Sequence, residues 1–174
     1  MANKYNPQGV TKWYWIGSPT GITNPDAPTM AQIAAGTELA CYMVPDGVSG
    51  FAVTPSEVDA TSLCDTQSTS VPGLPTTENG SMVLFRASGA ADTGSALMDE
   101  LTADIRGRDM ISGLPRFVVK VLGGLVGPGE LVDVFPSTLA SVNPSGDPGG
   151  QAARYTVGFT HYDSFSINKV IVAS

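Results

Sequence analysis

The chain contains one histidine, His161, so any catalytic triad or zinc site would have to be built around it. No Gly-x-Ser-x-Gly elbow and no His-Glu-x-x-His pair accompanies it. It falls in an alternating run, sharing one strand face with Tyr155, Val157 and Phe159, which reads as a structural position. Glu57 and Asp59 are two residues apart, which on a strand sets both carboxylates on one face. Such a pair can do general acid–base work, but no third group converges on it, and a solvated face or a polar cavity lining is the plainer reading. The two cysteines, Cys41 and Cys64, form no Cys-x-x-Cys or metal spacing and sit beside apolar neighbours. We expect buried free thiols, with one bridge between them left open. Residues 123–127 are glycine-rich, but Pro128 and Gly129 follow where a phosphate loop needs a helix, so they read as a hairpin loop. Arg106, Arg108 and Arg116 read as surface charge rather than as partners for a neighbour's carboxylates. No catalytic residue, metal site or cofactor is assigned, and the chain is not expected to be an enzyme.

The elements that carry these residues are framed by composition. The 174 residues suit one domain. Charged residues are only 14%, well below the roughly 25% of an ordinary domain, so much of the surface must be neutral. A surface so poor in charge points towards burial against neighbours. The net charge is −7 and no Lys/Arg cluster exists, which argues against gripping nucleic acid. An acidic wall past which DNA slides remains compatible with it. The first residues hold no apolar signal region, and no run of about 18 apolar residues is present, so no membrane span is expected.

Residues 1–36 show little regular pattern apart from the run Trp13-Tyr14-Trp15-Ile16. That run is either a first strand on the home core or part of an arm that docks on a neighbour; we expect the latter. Residues 38–44 alternate with both faces apolar, predicting a strand covered on both sides, and Pro45-Asp46-Gly47 reads as a turn. Residues 51–61 are more polar, and Pro55 argues against an unbroken strand. Residues 65–80 are dense in Ser, Thr, Pro and Gly and read as a long loop, of the kind that is ordered by a partner. A short strand is predicted at 82–86 and an amphipathic helix at 96–106, with Leu97, Met98, Leu101 and Ile105 in one stripe. Further strands are predicted at 116–122, 131–135, 137–142, 154–162 and 165–172, with 143–150 as a loop. The result is a mainly β fold, a sandwich or barrel with one flanking helix.

Several segments in order resemble the major tail tube proteins of long, flexible-tailed phages, especially those of actinobacterial hosts. They are residues 31–42, 58–65, the Pro72-Gly73 turn, the strand–helix–strand series at 82–86, 96–106 and 116–122, then Val-Asp-Val-Phe-Pro at 132–136 and the 154–157 strand. The resemblance spans about residues 31–162 and rests on order and spacing. It implies an N-terminal arm (1–36) and a small tail-tube β-sandwich or barrel (37–174) that stacks as hexameric rings, with inner strands joined into a continuous barrel around the channel. It further implies a virion protein, assembled in the host cytoplasm. Its partners would be other copies of itself, a tape measure protein, a tail terminator and distal tail proteins, with double-stranded DNA passing unbound through the lumen. A different virion component, a terminator or head decoration protein, and a secretion-system tube are the competing readings. On the tube reading, Glu57 and Asp59 are the candidate lumen-facing residues. Trp13, Tyr14 and Trp15, with Val71, Pro72 and Leu74 of the long loop, are the candidate inter-ring or inter-subunit contacts.

Overall fold

The structure, a computed structural model, describes residues 11–17, 21–61, 67, 70–74, 76–85, 116–145 and 154–173. The predicted helix at 96–106, together with Cys64, Arg106 and Arg108, lies outside the described residues. Among the described residues there are twelve strands: β1 (Lys12–Ile16), β2 (Thr37–Glu38), β3 (Met43–Ser49), β4 (Val53–Thr54), β5 (Glu57–Asp59), β6 (Ser70–Pro72), β7 (Thr76–Thr77), β8 (Gly80–Phe85), β9 (Phe117–Val121), β10 (Leu131–Ser145), β11 (Arg154–His161) and β12 (Ser166–Val170). The fold is mainly β, as the alternation predicts.

Eight of the strands form one antiparallel sheet in the order β2-β1-β9-β10-β11-β8-β3, with β12 also on β10. The fifteen-residue β10 is the hinge of this sheet. Its first half pairs with β9, from Val132 opposite Val121 to Pro136 opposite Phe117. Its second half pairs with β11, from Ser137 opposite His161 onwards. The sequence suggests two strands separated at Pro136; the structure runs one strand through it. Pro136 has no N–H to give, so the ladder changes partner there instead of stopping. Ser137 N donates to Arg116 O (3.0 Å) and Tyr162 N to Pro136 O (3.3 Å), which satisfies the backbone across the bend. A register shift between Leu139 and Ser141 adds further curvature. The bent strand folds the two halves of the sheet over each other.

Two apolar clusters follow from the period of two. Trp15, Val118 and Phe135 point inwards against Met82, Leu84, Val157 and Phe159 of the other half-sheet. The alternate residues, Tyr14, Ile16, Val119, Val121, Val132 and Val134, form a second cluster on the opposite face. Ile22, Ile33 and Ile171 cover that second face. Ile33 is held there by a short helix, α1 (Met30–Ala34), whose Thr29 and Gln32 make a reciprocal capping box. Strands buried on both faces explain the near-continuous apolar runs Phe-Val-Val-Lys-Val and Lys-Trp-Tyr-Trp-Ile.

Several expectations are corrected here. The run Trp13-Tyr14-Trp15 packs on its own domain. It is β1, paired between β2 and β9, with Trp15 fully buried and Tyr14 at 7% exposure in their own core. Ahead of residue 37, Lys12–Ile16 thus pairs within the large sheet, and Ile22 and Ile33 pack on its second cluster. Residues 38–44 are not one strand. After β2 the chain makes a 3-10 turn at Ala40–Tyr42, closed by Tyr42 N to Leu39 O (2.9 Å), and then enters β3. Leu39, Tyr42 and Met43 all turn into the first cluster, which is why both apparent faces are apolar. Cys41 is an exposed free thiol rather than a buried one. Pro45-Asp46-Gly47 lies within β3 at a register shift between Met43 and Val48, with Asp46 at φ 60°. Strand β10 also extends through Asn143 and Pro144, where a loop was expected.

Candidate functional site

Between β3 and β8 the chain leaves the sheet as a separate two-stranded ribbon. β4 pairs with β7, Val53 opposite Thr77 and Thr54 opposite Thr76. β5 pairs with β6, Glu57 opposite Pro72, Val58 opposite Val71 and Asp59 opposite Ser70. Neither pair joins the large sheet. Pro55, as the sequence indicates, interrupts the first side of the ribbon. The break is bridged by Gly73 N donating to Ser56 O (2.7 Å) and by the Ser56 hydroxyl donating to the Leu74 carbonyl. The root is closed by Glu78 N to Ala52 O (3.4 Å).

The pairing brings together residues that stand far apart along the chain. Glu57 and Asp59 do share a face, with Ser70 and Pro72 beside them. The Ser70 hydroxyl donates to Glu57 Oε2 (3.1 Å), and Thr61 N donates to Asp59 Oδ1 (2.9 Å). The Thr61 side chain, then its amide, holds the Asp59 carboxyl below its ordinary value. Val58 and Val71 form the opposite face, so Pro72 sits with the acids and Val71 does not. The ribbon exposes Val53 (44%), Val58 (54%), Val71 (44%) and Leu74 (86%).

A lone two-stranded ribbon is marginal in water, and this one shows solvent on both faces. Fully burying an exposed Val or Leu contributes about 1.5–3 kcal/mol, and Val58 and Val71 stand about half exposed, so a neighbour over their face would contribute roughly half of that for each. The arrangement presents an acidic face and an apolar face to solvent. Among the described residues no group of His, Cys, Asp and Glu could hold a metal ion. No helix among them is long and apolar enough to cross a membrane.

The histidine is kept apart from these carboxylates. His161 lies between the half-sheets, its ring 5.2 Å from Phe51, 6.5 Å from Phe135 and 4.6 Å from Phe165. The Ser137 hydroxyl donates to Phe135 O (2.9 Å), so its oxygen accepts from His161 Nδ1–H (2.8 Å). That bonding assigns the Nδ1–H tautomer and leaves Nε2 as a buried lone pair, which has no hydrogen-bond partner among the described residues. Burial among the rings holds the imidazole pKa below its ordinary 6.5, against a smaller opposing pull from the Pro136 carbonyl. A depressed histidine pKa means the unfolded chain binds the extra proton first. The neutral ring's contribution is therefore complete above the unfolded value and is lost as pH falls below it. Between roughly pH 7.5 and pH 5, wild-type protein should lose more denaturant stability than His161→Gln does. Equal losses in the two proteins would show that the ring does not titrate in this way.

Comparison with known proteins extends this picture. A family model described as phage tail tube protein matches residues 1–174. No curated protein matches the chain. A chain of the anti-feeding prophage baseplate, solved by cryo-EM with six-fold symmetrisation, superposes with a TM-score of 0.53 at 11% identity, covering 88% of this chain and 89% of that one. That likeness is one of fold. A chain from the tail of the empty gene transfer agent particle gives a TM-score of 0.45 at 16% identity, over 76% of this chain and 85% of that one.

Proposed function

The chain belongs to the phage tail tube protein family, and we propose that it polymerises into stacked hexameric rings in which the ribbon at 51–80 reaches a neighbouring subunit. The protein is a structural component of the phage tail. The observation that carries the ring-to-ring role is the ribbon itself, a regularly paired element whose acidic and apolar faces are both exposed. Val71 and Leu74, with Val58, form the contact surface towards the next ring, and Pro72 flanks it. Trp13, Tyr14 and Trp15 take no direct part.

Lateral closure of each ring fits the sheet. Its outermost strands, β2 and β3, each pair on one side only among the described residues. Such edges invite strand addition, and a closed ring of subunits removes them. Glu57 and Asp59 lie on the acidic face of the ribbon, and we assign that face towards the lumen. There, ionised carboxylates repel phosphate and let double-stranded DNA pass without binding. The tube reading brings with it a tape measure protein inside the growing tube, a terminator and distal tail proteins at its ends, and a long flexible tail.

Electron microscopy of the purified protein at high concentration tests this directly. Long hollow tubes with a regular axial repeat are expected, and helical reconstruction should place Glu57 and Asp59 at the channel wall. Discrete closed rings that never stack would replace the tube reading with that of a terminator. Tubes with both carboxylates on the outside would overturn the lumen assignment alone.

A further inference from the structure

Among the described residues of 51–79, Phe51 is the apolar side chain that packs on the core. Its ring lies 5.3 Å from Trp13, 5.1 Å from Phe135, 5.7 Å from Phe159 and 5.2 Å from His161. These neighbours come from β1, β10 and β11, so the seat is built by both half-sheets. The backbone beneath the ring is unusual. Gly50 and Phe51 are consecutive residues in the left-handed region, at φ 73° and 56°. A glycine tolerates that conformation, whereas a bulky aromatic is held in it only by its surroundings. At the other side of the root, a Cβ on Gly80 would collide with the Phe51 ring, and one on Gly50 would collide with the Asn79 carbonyl. At the root, then, Gly80 makes room for the Phe51 ring and Gly50 makes room for the backbone of the returning chain.

We propose that Phe51 is a latch that fixes the angle at which the ribbon leaves the domain, and that Gly80 is kept without a side chain so that the latch can close. With the ring seated, the ribbon is presented in one direction. With the ring unseated, two crossings and a pair of left-handed residues form a loose hinge, and each added subunit must bear the ordering cost. Phe51 is therefore a positioning residue for assembly. Its consequence for tube growth rests on the function proposed above; its effect on ribbon direction does not.

Spin labels at Ser70→Cys in β6 and Thr160→Cys in β11, with both native cysteines replaced by serine, report the ribbon-to-domain distance in the unassembled protein. The unaltered root should give one narrow distance distribution. Phe51→Ala should broaden it. Gly80→Ala should broaden it too, although it leaves Phe51 and its seat in place. The two should not add: the three atoms nearest a Cβ at Gly80 all belong to the Phe51 ring, so once the ring is gone Gly80→Ala should have little further effect. Tube elongation should slow by roughly tenfold or more in either single variant. A merely structural ring would lower stability and leave the distances narrow. Narrow distributions in both variants, or a broad one in the unaltered protein, would overturn the latch. If Phe51→Ala does not fold, Gly80→Ala alone decides. If the unaltered protein makes no tubes, the proposed function fails, while the distance measurement still decides the latch.

Discussion

Trp15→Ala should destabilise the isolated domain by about 3–5 kcal/mol, the range for truncating a large, fully buried aromatic. Trp15 has no exposed surface, and its ring lies 5.7 Å from Phe159 on the opposite half-sheet. Its backbone pairs with Val118 on one side and Thr37 on the other. The cavity would therefore open in the middle of the first cluster, where neighbours from both halves are already committed to their rotamers. Urea or guanidinium unfolding of dilute protein, below any concentration that forms tubes, measures it. A loss under about 1 kcal/mol, with assembly abolished, would return the aromatic run to the role of an arm docking on a neighbour.

Excising the ribbon should produce the opposite phenotype. Ala52 and Glu78 are already hydrogen-bonded across the root, so replacing residues 53–77 with a two-residue Asn-Gly turn closes the chain without stretching it. Among the described residues, no member of either core cluster is removed. The domain should keep its thermal midpoint to within a few degrees, since surface changes away from packed features cost about 0.5 kcal/mol or less. Tube formation should fall to nothing detectable by electron microscopy. Normal tubes from the excised protein would remove the ribbon from assembly altogether.

The contrast between these two variants bears on what the sequence discloses. Strong alternation marks β9 and β11 correctly, because half-buried and doubly buried strands both leave a period of two. The hairpin around Gly124 and Gly129 was also legible, since both residues take positive φ in the loop. The role of Trp13, Tyr14 and Trp15 was not. An exposed-looking aromatic run amid Pro, Gly and Asn gives no sign that β9, a hundred residues later, will pair with it. The capping box at Thr29 and Gln32 was a readable signal for α1, and a helix of only five residues has too few apolar positions to reinforce it. At 39–42 the alternation was real, but a 3-10 turn between two half-sheets produces the same pattern as a doubly covered strand.

The candidate surface was legible in pieces. Glu57 and Asp59 stand out as a same-face pair, and Val71, Pro72 and Leu74 as an apolar stretch in a polar loop. Their pairing was not, because β4 to β7 are two or three residues long and fall below the length at which periodicity says anything. Phe51 was invisible as a latch for a different reason. Its significance lies in a positive φ and in the missing side chain at Gly80, neither of which leaves a mark in hydrophobic patterning.

The central claim is that the ribbon is a built docking element, covered by another copy of this chain in the tube. Hydrogen exchange at its ladder amides, in β4, β5, β6 and β7, tests that claim most directly when it is measured on the unassembled protein and on purified tubes. In the unassembled protein these amides should exchange quickly, as an uncovered two-stranded element opens at little cost. In tubes the same amides should slow by on the order of a hundredfold or more, while those of β9, already covered on both faces, change little. Tubes whose ribbon amides exchange as fast as those of free protein would contradict the account.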